Sequence, residues 1–303
     1  MYSIIGSGFG LYGYLPAIIK LQKKGLVLPE KYKEKILLRP ELREFEKDIL
    51  WVKDSDEALI KTTHLIVAVP PNTQYSLVKK IVKKTNIKTI YLEKPIAPSV
   101  EKSNDLLKFL DLNKVKYVVG YSFLYLDLQD KFDLLIAENQ EIYWNWTFMA
   151  HHFLMNLYNW KRFHDDGGGV LRFYGIHVIA FLSVCGYSDV KNSTLIELQE
   201  NEPHIWQASL LGERLPICHI TVDCKSNQKM FNISNEKFDN IVSLEDPFSL
   251  VVEDSGFLDR RVAVLIKTLN SELDTKYELK KMYSNINKLW EKVEQFTKVI
   301  RVD

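Results

Sequence analysis

The sequence predicts two domains, an N-terminal α/β domain with a doubly wound parallel sheet and a C-terminal α+β domain with a mostly antiparallel, open sheet. Short apolar segments alternate with helical patterns up to about residue 120, and strand-like segments follow one another after it. A glycine-rich turn stands directly after the first apolar segment. The 303 residues suffice for two cores. We therefore predict domains at 1–120 and 121–303, and the packing of the C-terminal helix on the first domain is left open.

The prediction for the first domain rests on a regular alternation of strands and helices. The predicted strands are 2–5, 35–38, 50–52, 64–69, 89–92 and 115–119, and the predicted helices are 15–21, 55–61, 75–84 and 99–110. The strands are short and apolar, as strands buried in parallel sheets are, and several end at glycine or proline. Asp54 is the predicted N-cap of helix 55–61, because its carboxylate can accept from the first backbone N–H groups. This alternation predicts βαβ units.

The second domain differs in its pattern, because few helices separate its strands. The predicted strands are 141–149, 193–198, 204–211, 217–223 and 229–234, and the predicted helices are 170–184 and 278–297. Such a run of strands favours antiparallel pairing. Trp144, Trp146 and Phe148 alternate along the first of them and predict a packed or subunit-facing side. A sheet with helices on one side needs cover on the other, so we expect a homodimer or homotetramer.

The composition excludes several classes of protein. Net charge is +1, from 40 basic and 39 acidic residues, so the chain lacks the basic excess of a nucleic-acid binder. Its apolar runs are shorter than the about 20 residues of a membrane span, which predicts no membrane partner. Cys185, Cys218 and Cys224 have no paired spacing, which argues against disulfides and a metal site. Without a signal-peptide pattern, we expect a reduced, cytoplasmic protein.

The turn after the first strand predicts a dinucleotide site of the Rossmann type. It contains Gly6, Gly8, Phe9 and Gly10, and two motif frames are open: Gly6-x-Gly8 directly after the strand, or the complete Gly8-x-Gly10-x-x-Gly13 two residues later. In either frame, small residues allow a tight turn and let the backbone approach a pyrophosphate at the start of a helix. The position after a strand and before a helix is the context that this motif requires.

Arg39 suggests which dinucleotide is preferred. It follows the predicted second strand, where an acidic residue would bind the 2′-hydroxyl of NAD(H). An arginine favours the 2′-phosphate of NADP(H) instead. We therefore expect NADP(H) to be preferred over NAD(H), with a surface arginine as the alternative interpretation of Arg39.

Four features occur in a fixed order along the chain. They are the glycine turn, Ala-Val-Pro-Pro-Asn at 68–72, Glu93-Lys94-Pro95, and Gly-Gly-Gly at 167–169 followed by His177. Together they resemble the glucose–fructose oxidoreductase/inositol dehydrogenase (Gfo/Idh/MocA) family, over residues 1 to about 185. The resemblance implies NAD(P)-dependent oxidoreductase chemistry on a small molecule. The cofactor-binding residues that follow from the turn, Arg39 and these motifs are Gly6, Gly8, Phe9, Gly10, Arg39, Pro70, Asn72, Gln74, Glu93 and Lys94.

The resemblance also implies the catalytic residues. Lys94 would shuttle the proton of a substrate hydroxyl, with pairing to Glu93 at a strand end as the structural alternative. His177 would be a second acid/base group or a substrate ligand. The family's aspartate before this histidine is Phe173 here, and its histidine after the proline-rich turn is Gln74, which can still donate to a ribose or carboxamide.

Further substrate contacts are expected near the glycine segment and the end of the first domain. Trp160 and Arg162, together with His164, could line the substrate mouth and bind an anionic group, or form an exposed basic turn. Tyr121 and Tyr174 could supply hydroxyl groups or pack. The predicted substrate-binding residues are Tyr121, Trp160, Arg162, Tyr174 and His177.

Three functions remain open from the sequence. The first is a nicotinamide-dependent oxidoreductase that acts on a sugar, a sugar nucleotide or a related polyhydroxylated molecule. The second is a dinucleotide-binding sensor or partner protein with weak or lost catalysis, which Phe173 keeps open. The third is an imine reductase of the same superfamily, since a less polar site beside Phe173 would suit it.

Overall fold

The computed structural model describes residues 1–22, 25–83, 85, 87–239, 241–250, 258–271 and 278–302. The chain divides into two compact units. The first comprises 1–97, 102–125 and 251–276, and the second comprises 98–101, 126–250 and 277–303. The last residue of the predicted helix 75–84 lies outside the described residues.

The first unit contains a parallel sheet of six strands. Its strands are β1 (Tyr2–Ile5), β2 (Leu26–Pro29), β3 (Ile49–Val52), β4 (His64–Val67), β5 (Thr89–Leu92) and β6 (Lys116–Val119). Its helices are α1 (Leu15–Lys20), α2 (Lys33–Leu37), α3 (Ser55–Lys61), α4 (Pro71–Val82), α5 (Val100–Leu112), which starts in the second unit, and, near the other end of the chain, α9 (Val262–Asn270). The strand order is β3-β2-β1-β4-β5-β6. The predicted doubly wound parallel sheet is confirmed.

One predicted strand of this unit is wrong. Residues 35–38 are not a strand, because 33–37 form α2. The second strand is Leu26–Pro29, buried along its length between β1 and β3. Leu37 and Leu38 are 41% and 69% exposed, so only Ile36 of that apolar triplet enters the core. A short apolar run alone does not distinguish a helical turn from a strand. By contrast, Asp54 caps α3 as predicted, and its carboxylate accepts from the N–H groups of Asp56 and Glu57.

The second unit contains a mixed sheet of seven strands. They are β7 (Ile142–Met149), β8 (Tyr187–Glu197), β9 (Pro203–Gly212), β10 (Cys218–Asp223), β11 (Lys225–Ser234), β12 (Val242–Leu244) and β13 (Thr297–Arg301), in the order β12-β11-β7-β10-β9-β8-β13. The helices are α6 (Gln129–Ala137), α7 (His151–Leu154), α8 (Ile176–Val184) and α10 (Leu279–Phe296). Of the described strand pairs in this seven-stranded sheet, only β7–β10 and β8–β13 are parallel. The predicted mostly antiparallel sheet is therefore confirmed.

The alternating aromatic strand is packed within its own unit. Trp144 is fully buried, and its ring lies 5.5 Å from that of Phe181 on α8 and 6.1 Å from that of Phe132 on α6. Trp146 is 5% exposed. The chain's own helices therefore cover this face, and the inference from these tryptophans to a second subunit does not hold.

One helix is placed differently from the division at residue 120. The helix α9 packs on α1 in the first unit, although it follows the strands of the second. The C-terminal helix α10 packs on α8 and β8 in the second unit, which answers the question left open by the sequence.

One stretch of the described chain has the length and composition of a membrane span. Residues His164–Val184 comprise 21 residues with a mean hydropathy of 1.4, and 72% of the window is buried inside the protein. The core helix of a soluble protein passes the same test. Gly167 and Gly169 interrupt this stretch, with φ values of 85° and 69°. The regular α-helix within it is α8, which is buried.

Candidate functional site

The motifs of the first unit meet at the carboxyl ends of the parallel strands. The strand order reverses between β1 and β4, and in open α/β sheets ligands bind at this point. Gly6 follows β1 with φ 127°, and a Cβ there would lie 2.2 Å from the carbonyl oxygen of Ala68, which follows β4. Only glycine fits this turn. Pro70 and Asn72, at the start of α4, are both exposed at this edge.

The structure assigns separate roles to the glycines of the turn. A Cβ on Gly8 would meet nothing within 4 Å, so the backbone faces open space there. A Cβ on Gly10 would lie 2.8 Å from the side chain of Ile4, so Gly10 allows the helix to pack closely on β1. The arrangement fits the frame that starts at Gly6, with Gly10 in place of the usual third glycine. An open backbone at the start of a helix suits a pyrophosphate.

Aromatic and basic side chains flank the turn. The guanidinium carbon of Arg261, from the residue before α9, lies 4.2 Å from the centre of the Phe9 ring. That of Arg39 lies 5.0 Å from the ring of Tyr12. Sequence reasoning missed Arg261, because no local pattern links a residue so far along the chain to this turn.

The basis for the predicted role of Arg39 changes. Since β2 ends at Pro29, the residue that follows the second strand is the exposed Glu30, and Arg39 follows α2. Arg39 pairs with Glu41 at 3.2 Å. Lys35 of α2 donates to the hydroxyl of Ser7 at 2.8 Å, so a second cation lies at the glycine turn. With the second strand predicted at 35–38, neither Glu30 nor Lys35 was expected at this site.

The Glu93-Lys94-Pro95 segment follows β5 and is held by buried hydrogen bonds. The Lys94–Pro95 peptide bond is cis. Gln74 is fully buried, and its amide nitrogen donates to the carbonyls of Glu93 at 2.7 Å and Ile96 at 3.1 Å. A ligand entering from solvent does not reach such a side chain. Gln74 therefore supports the Lys94 loop, in contrast to its predicted role as a direct ligand.

A buried hydrogen bond fixes the carboxyl group of Glu93. The hydroxyl of Tyr14 donates to Glu93 Oε1 at 2.6 Å. A Cβ on Gly120, after β6, would lie 2.9 Å from that oxygen and 3.0 Å from the tyrosine oxygen, so glycine makes room for the pair. Burial raises the pKa of Glu93 and of Tyr14, while the neighbouring Lys94 opposes the shift at Glu93. Sequence reasoning missed Tyr14.

Tyr121 is less accessible than a substrate contact requires. It is 1% exposed, and burial raises the pKa of its hydroxyl above the ordinary value. Its predicted role as a direct substrate contact is therefore not supported by its position, and packing is the better interpretation.

In the second unit, the glycine segment packs too tightly for side chains. A Cβ on Gly168 would lie 2.1 Å from the carbonyl oxygen of Trp160, and one on Gly169 would lie 2.9 Å from Pro203. Farther on, a Cβ at Gly175 would lie 2.7 Å from the ring of Trp206. These contacts fix the start of α8, where His177 retains 4% exposure.

Phe173 lies in an aromatic cluster near the start of α8. Its ring is 5.2 Å from that of Trp160 and 4.7 Å from that of Tyr174, both edge to face. Tyr174 in turn contacts the ring of Phe148 at 4.8 Å. Two of the predicted substrate residues, Trp160 and Tyr174, thus meet at Phe173 and form an apolar surface.

Arg162 is committed to a structural ion pair. It donates to Glu202 Oε2 at 2.7 Å and 3.0 Å, with 12% and 6% of the two side chains exposed. This differs from the predicted anion-binding role, because the pair is mostly buried. Burial and Arg172 lower the pKa of His164 to about 3, so this histidine is neutral near pH 7. Among the residues that the structure describes, no group of acidic, histidine or cysteine side chains has the arrangement of a metal site.

Comparison with known proteins identifies the architecture. Residues 2–121 match the model of the Gfo/Idh/MocA oxidoreductase family, described as an NAD-binding Rossmann fold. No curated protein matches the chain.

Solved structures similar to the whole chain include three enzymes. KijD10, a 3-ketoreductase from Actinomadura kijaniata in complex with NADP and TDP-benzene, is 11% identical with a TM-score of 0.70, covering 100% of this chain and 99% of that one. The WlbA dehydrogenase from Bordetella pertussis, in complex with NADH and UDP-GlcNAcA, is 12% identical with a TM-score of 0.67, at 97% and 96% coverage. An oxidoreductase from Agrobacterium radiobacter, in complex with NAD+, L-tartaric acid and magnesium, is 10% identical with a TM-score of 0.68, at 97% and 94% coverage. At these identities the likeness establishes the fold of both units.

Proposed function

We propose that the protein, whose residues 2–121 match the model of the Gfo/Idh/MocA oxidoreductase family, transfers a hydride between a nicotinamide dinucleotide and a small polyhydroxylated substrate. The observation that carries the proposal is the meeting of the glycine turn with the proline-rich turn at the switch point of the sheet, where Gly6 packs on Ala68. The open backbone at Gly8 suits the pyrophosphate. Glu93-Lys94 follows the neighbouring β5, at the same edge.

We assign proton transfer to Lys94. Lys94 Nζ would hold or release the proton of the substrate oxygen, while a nicotinamide bound at this edge would supply or accept the hydride. The two hydrogen bonds from Gln74 to the carbonyls around Lys94 fix the loop, and Tyr14 fixes the neighbouring carboxyl group. Positioned acid/base groups of this kind contribute about 10²–10⁴-fold in rate. His177, in the second unit, is proposed as a substrate ligand or second proton donor.

The proposed cofactor preference is for NADP(H), on a corrected basis. Lys35 and Arg39 lie on and just after α2, and each contacts a residue of the glycine turn, Ser7 or Tyr12. Two cations there favour a 2′-phosphate. Glu30 after β2 acts in the opposite direction, since a carboxylate binds the 2′-hydroxyl of NAD(H).

The substrate class is proposed as sugar or sugar nucleotide. KijD10 was solved with TDP-benzene and WlbA with UDP-GlcNAcA, which supports this class without fixing the molecule. We also propose that the chain forms a homodimer or homotetramer through the outer face of its seven-stranded sheet, where Tyr143 stacks on His219 at 5.3 Å. The three free cysteines support a reduced, cytoplasmic location.

A second candidate function is the reduction of a carbon–nitrogen double bond. The aromatic surface of Trp160, Phe173 and Tyr174 favours it, since a less polar pocket suits an imine. Phe173→Asp separates the two. With a sugar-type substrate the new carboxylate raises activity, whereas with an imine it lowers activity by placing a charge among apolar rings.

The direct test of the proposed chemistry is turnover with both cofactors and a panel of sugar nucleotides, inositols and imines, followed by nicotinamide absorbance. We expect Lys94→Ala to lose turnover by about 10²–10⁴-fold with cofactor affinity unchanged. Lys88→Ala, on the same domain before β5, is the matched control and keeps activity. Full turnover in Lys94→Ala would show that another group carries the proton.

A further inference from the structure

The glycine turn, which is proposed to bind the pyrophosphate of the dinucleotide, contains no basic residue of its own. Residues 6–13 comprise glycine, serine, aromatic and leucine residues only. A dinucleotide carries two negative charges at this point, and backbone N–H groups with a helix start supply only partial compensation. A cation from elsewhere in the same unit would complete the site.

Arg261 is placed to supply that cation. Its guanidinium carbon lies 4.2 Å from the centre of the Phe9 ring and 5.8 Å from that of Tyr12, so the group lies over the residue next to the open backbone of Gly8. The side chain is 35% exposed, so a ligand can reach it. The stacking on Phe9 fixes the plane of the guanidinium.

Asp259 fixes one edge of the same guanidinium. Asp259 accepts from Nε at 2.8 Å and from Nη2 at 2.7 Å. These two hydrogen bonds fix the orientation of the planar guanidinium. The positive charge of Arg261 also lowers the pKa of Tyr14 and Glu93, so its field extends to the Lys94 loop.

We propose that Arg261 is a cofactor-binding residue, which supplies to the pyrophosphate of the dinucleotide the positive charge that the glycine turn lacks. The inference rests on the proposed function, because it needs a dinucleotide at Gly8. Since NADPH and NADH share the pyrophosphate, Arg261 contributes equally to both. It differs in this from Lys35 and Arg39, which are proposed to bind the 2′-phosphate that only NADPH carries.

The test is a fluorescence titration of the purified protein with NADPH, NADH and ADP-ribose. Arg261→Gln should weaken all three by a similar factor of about ten- to a hundredfold, which corresponds to the loss of one charge-assisted contact. Arg260→Gln, the exposed neighbour, is the matched control and should keep the wild-type dissociation constants. Lys35→Gln should weaken NADPH alone.

The outcomes separate this inference from the function on which it rests. If wild-type protein binds none of the three ligands, the proposed function fails. If it binds them and Arg261→Gln binds them equally well, only the role of Arg261 is overturned. Should thermal denaturation show that Arg261→Gln is unfolded, Arg261→Lys replaces it, with an expected loss of about tenfold for both cofactors. Unchanged affinity in the lysine variant would then overturn the role.

Discussion

Single residues around Lys94 are ordered by buried hydrogen bonds. Three residues from separate parts of the first unit hold the Glu93-Lys94 segment in place. Tyr14 and Gln74 make hydrogen bonds to it, and Gly120 leaves space for the Tyr14–Glu93 pair. The tyrosine hydrogen bond favours the charged form of Glu93 against the cost of burial. The hydrogen bond from Tyr14 therefore helps to set the charge state of Glu93, next to Lys94 in the proposed catalytic loop.

Tyr14→Phe tests whether this hydrogen bond sets the charge state of Glu93. Loss of the hydrogen bond should raise the pKa of Glu93 further, because burial then acts with less opposition. The acidic limb of the pH–activity profile should move to higher pH, with the dissociation constant for NADPH unchanged. Tyr143→Phe, in the second unit, is the control and should leave the profile in place. An acidic limb that does not move in Tyr14→Phe would show that the charge on Glu93 is unimportant to turnover.

Cofactor preference is also decided by single residues. Lys35→Glu combined with Arg39→Glu should weaken NADPH by about tenfold or more and leave NADH nearly unchanged, because only the 2′-phosphate distinguishes the two. Parallel titrations with both cofactors measure this. The pair Lys31→Glu and Lys33→Glu adds the same charge on the same segment and serves as control. An equal loss for both cofactors in the Lys35/Arg39 variant would contradict the assignment.

At the scale of elements, the sequence predicted what local periodicity encodes and missed what tertiary packing decides. Five of the six strands of the parallel sheet and the capped helix α3 follow from apolar runs and Asp54. Three apolar residues are too few to show a period, so the run at 35–38 does not distinguish a strand from a helix. The wrong strand there also misplaced the residue that follows the second strand. Arg261 and Tyr14 could not be found, since their partners are distant in the sequence.

The ion pair between Arg172 and Glu294 joins the glycine segment to α10. The two groups make hydrogen bonds of 2.6 Å and 3.1 Å, and Arg172 also donates to the carbonyls of Pro98 and His164, both at 2.9 Å. Removing one partner of a mostly buried pair leaves an uncompensated charge.

We expect Arg172→Ala to lower the free energy of unfolding by about 3 kcal/mol in urea denaturation. Lys237→Ala breaks an ion pair with Glu138 in which the lysine is 55% exposed, and it should change stability by less than about 1 kcal/mol. Equal effects of the two substitutions would show that Arg172 is not a central contact of this unit.

At the scale of the whole molecule, buried neutral histidines make stability depend on pH. Burial and nearby cations lower the pKa of His164 to about 3 and of His152 to about 4, the cations being Arg172 for the first and Lys161, Arg162 and His151 for the second. The unfolded chain therefore binds more protons than the folded one between these values and about 6.5. Stability from these groups is present above pH 6.5 and is lost as the pH falls.

The expected slope is roughly 1.4 kcal/mol per pH unit for each histidine in that window. Urea denaturation at a series of pH values measures it. His164→Asn should flatten the acid side of the curve. A curve for His164→Asn parallel to the wild type would refute the assignment.

The central claim is that the switch point of the parallel sheet binds a nicotinamide dinucleotide. Titration of the purified protein with NADPH, and separately with NADH, followed by the fluorescence of the reduced nicotinamide, tests it most directly. We expect saturable binding of both at one site per chain, with NADPH tighter, and loss of both when Gly6 is replaced by valine, whose side chain would overlap Ala68. Absence of saturable binding for either cofactor to folded wild-type protein would contradict it.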